Sequence, residues 1–284
     1  NGMLGYNFFQ CWRDSHDVRV TLRNDLAFYR HHKVFSESNT FHGVDILNSD
    51  NLSDIIVSFN PDCIVNCSGI TKQLSNVNSL ENILMVNSVF PHKLNDICKH
   101  LDIRLIQLST DCVFSGKKGN YTELENSDAE DIYGKSKFLG EINDANTLTL
   151  RKSSIGLELE NKHGLVEWFL NQKNSIQGYK GAIYSGFSCT HLALLIENII
   201  INHPSLNGIL NLASQPITKY DLLRNLRDRL DNFSIDIIED DKIKIDRSLD
   251  SSSFIEKTGI RIPKWEEMLD DLAKEINERK NDSR

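Results

Sequence analysis

The segment "PDCIVNCSG", residues 61–69, is a compact apolar run that ends at Gly69. This pattern is typical of a strand that is buried on both faces of a parallel sheet. A long helix is predicted over "SLENILMVNSVFPHKLNDICKHL", residues 79–101, with Pro91 as a kink or as an early-turn residue. A second buried strand, "IRLIQLST", residues 103–110, follows it. The segment therefore predicts a strand-helix-strand unit.

The rest of the first half continues this alternation. Helical spacing of apolar residues predicts helices over residues 2–14, 49–59 and the "YGKSK" segment, and "DVRVTL" and "GVDIL" predict short strands. Strict alternation indicates an α/β fold, a Rossmann-type doubly wound parallel sheet that binds ligands at the carboxyl ends of its strands. We predict a nucleotide-binding domain over 1–150. A smaller substrate-binding lobe over 151–284 would return one strand, near 208–213, to the sheet.

Composition excludes several classes of protein. The net charge is −8, and a chain with this balance lacks the basic stripe that broad nucleic-acid binding requires. The six cysteines include no C-x-x-C pair, so we expect free thiols in a reducing cytoplasm and no metal site. No apolar run has the length of a membrane span. A homodimer is left open.

The chain starts with "NGMLG", a candidate phosphate-binding turn. Gly2 and Gly5 could be the last two glycines of a dinucleotide-binding fingerprint, in which backbone N–H groups at a helix start face a pyrophosphate. Two glycines at this spacing also occur in ordinary loops. The strand that normally precedes such a turn is absent, so we expect that the first strand of the sheet lies outside this sequence.

The end of the predicted strand "DVRVTL" bears on the choice of nicotinamide cofactor. Arg23 follows it, and a guanidinium suits the 2′-phosphate of NADP. Asp25 keeps NAD open, because an acid at this point can bind ribose hydroxyls.

A tyrosine and a lysine four positions apart, Tyr133 and Lys137, would share one face of a helix. An ammonium beside a phenol is expected to lower the pKa of the phenol and to make it a usable acid. A hydroxyl at the end of a neighbouring strand, Thr110 or Ser109, would bind the reacting carbonyl oxygen. These groups suit hydride transfer from a nicotinamide to a ketone. "YRHHK" repeats the spacing without such companions, so we assign it no catalytic role.

Together, "STDCVFSG", "GNYTE" and "DIYGKSKFLGE" resemble the extended short-chain dehydrogenase/reductase family, most closely its dTDP-4-dehydrorhamnose reductases and related sugar-nucleotide 4-keto-reductases. Nearly the whole chain shares the resemblance. It implies a catalytic triad of Thr110, Tyr133 and Lys137, with Tyr133 as general acid. The implied NADP contacts, with NAD possible, are Tyr133, Lys137, Gly2, Met3, Leu4, Arg23, Asp45, Ile46, Cys67, Ser68 and Gly69.

The resemblance also implies a nucleotide-sugar substrate. The expected contacts are Lys72 and Gln73 in the loop after the strand at 61–69, Thr110 and Asp111, and Arg247 near the diphosphate. A surface ion pair is the alternative for Arg247.

One departure from the family pattern is Cys112, which stands where many relatives have tyrosine. Sugar-nucleotide dehydratases have the sequence Thr-Asp-Glu at the three positions that are Thr110, Asp111 and Cys112 here. The missing glutamate therefore argues against a dehydratase.

The implied activity is NADPH-dependent reduction of the 4-keto group of a nucleotide-linked 6-deoxyhexose, for cell-surface polysaccharide synthesis in the cytoplasm. Two alternatives remain at this point. One is a sugar-nucleotide epimerase with tightly bound NAD, and the other is a non-catalytic regulatory subunit like that of methionine adenosyltransferase.

Overall fold

The structure is a computed structural model that describes residues 1–74, 78–160 and 162–282. The helices are α1 (Met3–Trp12), α2 (Ser49–Phe59), α3 (Leu80–Leu84), α4 (Phe90–His100), α5 (Ile132–Leu139), α6 (Leu165–Leu170), α7 (Cys189–Asn202), α8 (Lys219–Arg227), α9 (Ser252–Thr258) and α10 (Trp265–Asp282). The strands are β1 (Val20–Thr21), β2 (Thr40–Phe41), β3 (Cys63–Asn66), β4 (Arg104–Leu108), β5 (Thr147–Arg151), β6 (Ser154–Ile155), β7 (Ser175–Tyr179), β8 (Ala182–Tyr184), β9 (Phe187–Ser188), β10 (Gly208–Asn211), β11 (Ile217–Thr218), β12 (Asp236–Asp240) and β13 (Ile245–Asp246). Short 3₁₀ helices cover Leu26–His32, Lys72–Leu74 and Asp111–Val113.

The central sheet has the strand order β10-β5-β4-β3, and every neighbouring pair in it is parallel. The strand predicted near 208–213 is β10, which pairs with β5 and so returns the second half of the chain to the sheet. The α/β fold with a parallel sheet is therefore confirmed. The carboxyl ends of β3, β4 and β5 lie along one edge, where a ligand site is expected.

Helices cover both faces of this sheet. Along β4, Leu105 packs into one hydrophobic cluster with residues of α2 and α4, while Ile106 and Leu108 pack into the other, larger cluster. The larger cluster also contains Phe8 and Trp12 of α1. Successive strand residues point to opposite faces, so this alternation fixes which side chains of β4 are buried on each side.

The helix predicted over residues 79–101 is continuous but irregular. It consists of α3, a π-helical turn over Met85–Val89, and α4, with Pro91 in the first turn of α4. Proline lacks the N–H that a helix interior needs, so it fits at such a junction. The π turn places Asn87, which is fully buried, toward the loop after β3.

The strand predicted over "GVDIL" is wrong. Residues 43–47 form turns, and the strand lies earlier, at β2, where it pairs in parallel with β1. Gly43 has a left-handed backbone with φ of 66°, and the Asp45 carboxylate accepts a hydrogen bond from the N–H of Leu47 at 3.0 Å. Val44 is buried against α2 and α4 without being in a strand, which explains its misleading apolar pattern.

The second half adds smaller sheets beside the central one. Strand β7 pairs with β12, and β8 lies between β11 and β13. Within the described part of the chain, no helix combines the length and apolar character required to cross a membrane. The domain boundary at residue 150 stays a prediction.

Candidate active site

The loop after β4 places Thr110 at the edge of the sheet. Thr110 has an extended backbone and caps the 3₁₀ turn that follows, because its Oγ1 accepts a hydrogen bond from the N–H of Cys112 at 3.1 Å. The same hydroxyl donates to Oδ1 of Asp111 at 3.1 Å. Both side chains are almost fully buried. The position of the Thr110 hydroxyl is therefore held by its own turn.

Helix α5 carries the tyrosine and lysine to the same place. Asp131 caps the helix by accepting a hydrogen bond from the N–H of Gly134 at 2.8 Å. A Cβ atom at position 134 would lie 2.1 Å from the carbonyl oxygen of Cys112. Only glycine allows this approach, so Gly134 brings α5 against the Thr110 loop.

Thr110, Tyr133 and Lys137 meet where β4 ends. The side chains of Thr110 and Tyr133 form a hydrogen bond that lowers the pKa of Tyr133. Lys137 is buried, and its Nζ donates to the carbonyl oxygen of Leu108, the last residue of β4, at 2.7 Å. Since Tyr133 and Lys137 are four residues apart on α5, they lie on one face of the helix.

Ser109, the alternative to Thr110, faces another partner. Its hydroxyl donates to Oε1 of Glu141 at 2.7 Å, and Glu141 forms a bidentate ion pair with Arg151 at 2.8 and 2.7 Å. Both members of this pair are almost fully buried. The pair joins the end of β5 to the segment after α5. Because the Ser109 hydroxyl is bound to Glu141, Thr110 is the hydroxyl at the end of β4 that faces Tyr133.

The acidity expected for Tyr133 is wrong for this structure. Burial raises the pKa of Tyr133 well above that of a free phenol, and the acidic groups of Cys112, Asp111 and Asp131 raise it further. The hydrogen bond to Thr110 opposes this shift without cancelling it. Since the amine of Lys137 is turned toward the Leu108 carbonyl, desolvation outweighs any attraction that it exerts on the phenol.

Lys137 itself is shifted strongly. Burial, together with repulsion from the nearby Lys152 ammonium, lowers the pKa of Lys137 to about 8, while Glu141 acts in the opposite direction. Lys137 therefore titrates much closer to neutral pH than an exposed lysine does. Perturbation of this kind, next to a positioned hydroxyl and phenol, is typical of catalytic groups.

The candidate phosphate turn lies next to the end of β3. Helix α1 starts at Met3, and its cap Gly2 supplies no side-chain hydrogen bond, so the first N–H groups, including those of Met3 and Leu4, face outward from the helix start. A Cβ on Gly2 would meet nothing within 4 Å, and one on Gly5 would lie 3.6 Å from Cβ of Cys67. Helix α1 therefore packs through Gly5 against Cys67, and Ser68 and Gly69 follow Cys67 in the same loop.

Asn87 fixes the loop that leaves β3. Its Oδ1 accepts from the N–H of Ile70 at 2.8 Å, and its Nδ2 donates to the Ile70 carbonyl at 2.9 Å and to the Ser136 hydroxyl at 3.0 Å. Because Ser136 lies on α5 between the tyrosine and the lysine, the candidate cofactor loop and the triad helix are tied to one side chain.

The remaining predicted cofactor residues lie around β1 and β2. Arg23 is exposed two residues after β1, whereas the Asp25 carboxylate accepts from the N–H of Ala27 at 2.9 Å and so caps a 3₁₀ helix. Asp45 is exposed and forms the turn described above, while Ile46 packs partly against α2 and α4.

The predicted substrate residues fall into two groups. Asp111 and Arg247 are close, since the Arg247 guanidinium lowers the pKa of Asp111 while burial, the larger effect, raises it. Arg247 also donates from Nε to the Phe114 carbonyl at 2.9 Å. Lys72 and Gln73 are exposed, and Lys72 forms an ion pair with Asp131 at 2.6 Å.

Comparisons with known proteins identify the family. The family described as "RmlD substrate binding domain" matches residues 1–155, more than half of the chain. The chain belongs to this RmlD family.

The sequence identity to individual relatives is low. A probable low-salt glycan biosynthesis reductase, Agl14, from Haloferax volcanii is 32% identical over 129 residues, which are 42% of this chain and 43% of that protein. A dTDP-4-dehydrorhamnose reductase from Aggregatibacter actinomycetemcomitans is 28% identical over 193 residues, 63% and 65% of the two chains. The matched regions thus span less than two thirds of these curated relatives. The crystal structure of a dTDP-4-dehydrorhamnose reductase from Bacillus anthracis in complex with NADP has the same fold, with a TM-score of 0.72 and 18% identity over 91% of this chain and 99% of that one.

Within this RmlD family chain, Cys112 is a passive group. Burial, together with the neighbouring Asp111 carboxylate, raises the pKa of Cys112 to about 12. A thiol with this pKa is almost entirely protonated at neutral pH, and only a thiolate is a strong nucleophile. Cys112 contributes its backbone to the Thr110 turn and its carbonyl to the contact with α5.

Two features of this RmlD family chain escaped the sequence analysis. Lys152, directly after β5, is buried beside the triad, and the rule that strand ends carry ligand sites would have found it. His31, His32 and Glu160 place possible metal-ligand atoms within 4.8 Å of one another. No spacing in the sequence links Glu160 to the two histidines.

Proposed function

We propose that this protein is an NADPH-dependent reductase of the 4-keto group of a nucleotide-linked 6-deoxyhexose. The observation that carries the proposal is the convergence of Thr110, Tyr133 and the buried Lys137 at the end of β4. The names of its RmlD family relatives, which are sugar-nucleotide reductases, support the choice of substrate class.

The residues present fit a nicotinamide dinucleotide. The start of α1 offers backbone N–H groups without a side-chain cap, next to open space at Gly2, which suits a pyrophosphate. Arg23 is exposed, whereas the Asp25 carboxylate already caps a helix, so a 2′-phosphate is favoured over bare ribose hydroxyls. When bound, NADPH supplies the hydride that adds to the ketone carbon.

Tyr133 is suited to be the general acid. Reduction of a ketone requires a proton at the carbonyl oxygen, and a phenol with a raised pKa keeps that proton at neutral pH. The reverse reaction would need the phenolate, which burial disfavours. The environment of Tyr133 therefore keeps the phenol in the protonated form that donates a proton to the ketone oxygen.

Thr110 and Lys137 act through position and charge. The Thr110 hydroxyl lies beside Tyr133, so both can address the same ketone oxygen. Lys137 places a positive charge on the same face of α5, where it can stabilise the phenolate that forms when Tyr133 gives up its proton. Asp111 and Arg247 border this point and are the candidates for binding the sugar nucleotide, with Lys72 and Gln73 at the outer loop.

We also propose that the reaction takes place in the cytoplasm and supplies a reduced deoxysugar for cell-surface polysaccharides. The name of the glycan biosynthesis relative supports this role.

The test is NADPH oxidation in the presence of dTDP-4-keto-6-deoxyglucose. Tyr133→Phe removes the phenol hydroxyl and keeps the ring, and we expect kcat to fall by about 100- to 10,000-fold. Tyr220→Phe, a change at a partly buried tyrosine at the start of α8, is the matched control and should keep wild-type activity. Equal rates for Tyr133→Phe and the wild type would remove Tyr133 from the mechanism.

The same preparation separates the alternatives. Purified protein that retains NAD and interconverts sugar nucleotides without net oxidation would indicate an epimerase. Inactivity with every keto-sugar, together with co-purification with a synthetase, would indicate a regulatory subunit.

A further inference from the structure

Lys152 is a buried lysine with few hydrogen-bond acceptors around it, and burial lowers the pKa of its amine. It follows β5 at the sheet edge that also carries Thr110, and only 8% of its surface is exposed. Among the described residues, Nζ of Lys152 donates one long hydrogen bond, of 3.3 Å, to the Ser154 hydroxyl. An ammonium has three donors, and burying one with so few acceptors is costly.

Tyr184 presents a second unsatisfied group. Its ring packs edge-on against Trp265, with ring centroids 5.8 Å apart, which fixes the direction of the side chain. Its hydroxyl is buried and has no hydrogen-bond partner among the described residues. Buried hydroxyls without partners are uncommon, and such a group commonly marks a place that a ligand or water fills.

Asp111 connects these two groups to the triad. It lies close enough to both Lys152 and Tyr184 for its charge to act on them, and its backbone N–H donates to the Lys152 carbonyl at 3.2 Å. Its carboxylate accepts from the Thr110 hydroxyl. A donor, a hydroxyl and an acceptor thus gather beside the residues that act on the ketone.

We propose that Lys152 and Tyr184 form, with Asp111, a subsite for the hydroxyl groups of the sugar ring next to the reacting carbon. Vicinal hydroxyls each donate and accept, so they can accept from the ammonium of Lys152, exchange a hydrogen bond with Tyr184 and donate to Asp111. The ligand class is a polyhydroxylated pyranose. This inference rests on the proposed function, because the triad defines where the ketone lies.

The experiment compares Lys152→Met and Tyr184→Phe with the wild type, and uses Tyr220→Phe as control. The first reading is the KM for dTDP-4-keto-6-deoxyglucose. The second is the ratio of the Kd for dTDP to the Kd for dTDP-rhamnose, measured by calorimetry, which isolates the contribution of the sugar. The third is the Kd for NADPH.

We expect Lys152→Met to raise KM by about 10- to 100-fold and Tyr184→Phe by about 2- to 10-fold, the ranges for a lost charged and a lost neutral hydrogen bond. The sugar contribution to binding should fall by similar factors, while the Kd for NADPH and the behaviour of Tyr220→Phe stay unchanged. Lys152→Gln, which keeps a donor, should recover part of the loss.

Each failure has a separate signature. If the wild type reduces the keto-sugar but both variants keep its KM and the sugar contribution, the subsite is refuted and the proposed function stands. If Lys152→Met weakens NADPH instead of the sugar, Lys152 belongs to the cofactor site and the subsite is refuted. If the wild type shows a sugar contribution that the variants lose, yet reduces no keto-sugar, the subsite stands and the proposed reductase fails. A wild type that neither binds nor reduces sugar nucleotides overturns both.

Discussion

Replacing Lys137 by methionine should change how the stability of the protein depends on pH. Burial lowers the pKa of Lys137 from 10.5 to about 8, so the unfolded chain holds this proton more tightly than the folded one. Below pH 8 the folded protein bears the full cost of a buried ammonium. As pH rises from 8 toward 10.5 the folded amine becomes neutral first, and the cost is relieved.

The magnitude follows from the shift. The difference of 2.5 pKa units corresponds to about 3 kcal/mol at neutral pH, of which about 2.5 kcal/mol should disappear between pH 7 and pH 10. Lys137→Met lacks this titration. Between pH 7 and pH 10 the wild type should therefore gain this much stability, and Lys137→Met should not. The free energy of unfolding of the variant, relative to the wild type, falls by the same amount. The variant also leaves the Leu108 carbonyl without its donor, but this cost is the same at every pH. It therefore does not affect the pH dependence.

The assay is urea unfolding of the wild type, Lys137→Met and Lys135→Met at pH 7, 8, 9 and 10. Lys135 is exposed on the same helix, so its variant should follow the wild type at every pH. A difference between Lys137→Met and the wild type that stays constant across this range would refute the claim that Lys137 is buried with a lowered pKa.

Three further predictions concern the same edge of the sheet. Arg151→Met leaves the buried Glu141 carboxylate uncompensated and should lower the free energy of unfolding by about 3–5 kcal/mol in urea titrations, and a loss below 1 kcal/mol would contradict it. Gly134→Ala forces a Cβ against the Cys112 carbonyl, and we expect it to lower the free energy of unfolding by about 1–3 kcal/mol. It should also lower kcat and leave the affinity for NADPH unchanged. A variant with the kcat of the wild type would show that the close contact is unnecessary for activity. The rate of ketone reduction should fall as pH rises above about 8, where Lys137 loses its charge, and a rate profile that stays flat to pH 10 would oppose this role.

Much of the fold follows from local patterns in the sequence. The apolar runs at 61–69 and 103–110 contain β3 and β4, and the helical spacing after residue 79 holds through a π turn. "GVDIL" failed because burial alone does not make a strand: Val44 fills the core while Gly43 and Asp45 form turns. Strand pairing depends on neighbours that are distant in sequence.

The site was predictable in its geometry but not in its electrostatics. Helical periodicity places Tyr133 and Lys137 on one face, and the strand-end rule supplies Thr110. Desolvation depends on how the whole chain closes around a group, so the sequence could not show that the pKa of Tyr133 rises. For the same reason, a lysine after a strand did not reveal that Lys152 would be buried without a strong partner.

The most direct measurement uses NADPH that carries deuterium at C4, on the face from which the enzyme transfers the hydride. Mass spectrometry then shows whether the deuterium reaches the sugar. With dTDP-4-keto-6-deoxyglucose, the account predicts one deuterium at C4 of the product for the wild type and almost none for Tyr133→Phe in the same time. A wild type that leaves C4 unlabelled, or a Tyr133→Phe variant that labels it equally fast, would contradict ketone reduction by this site.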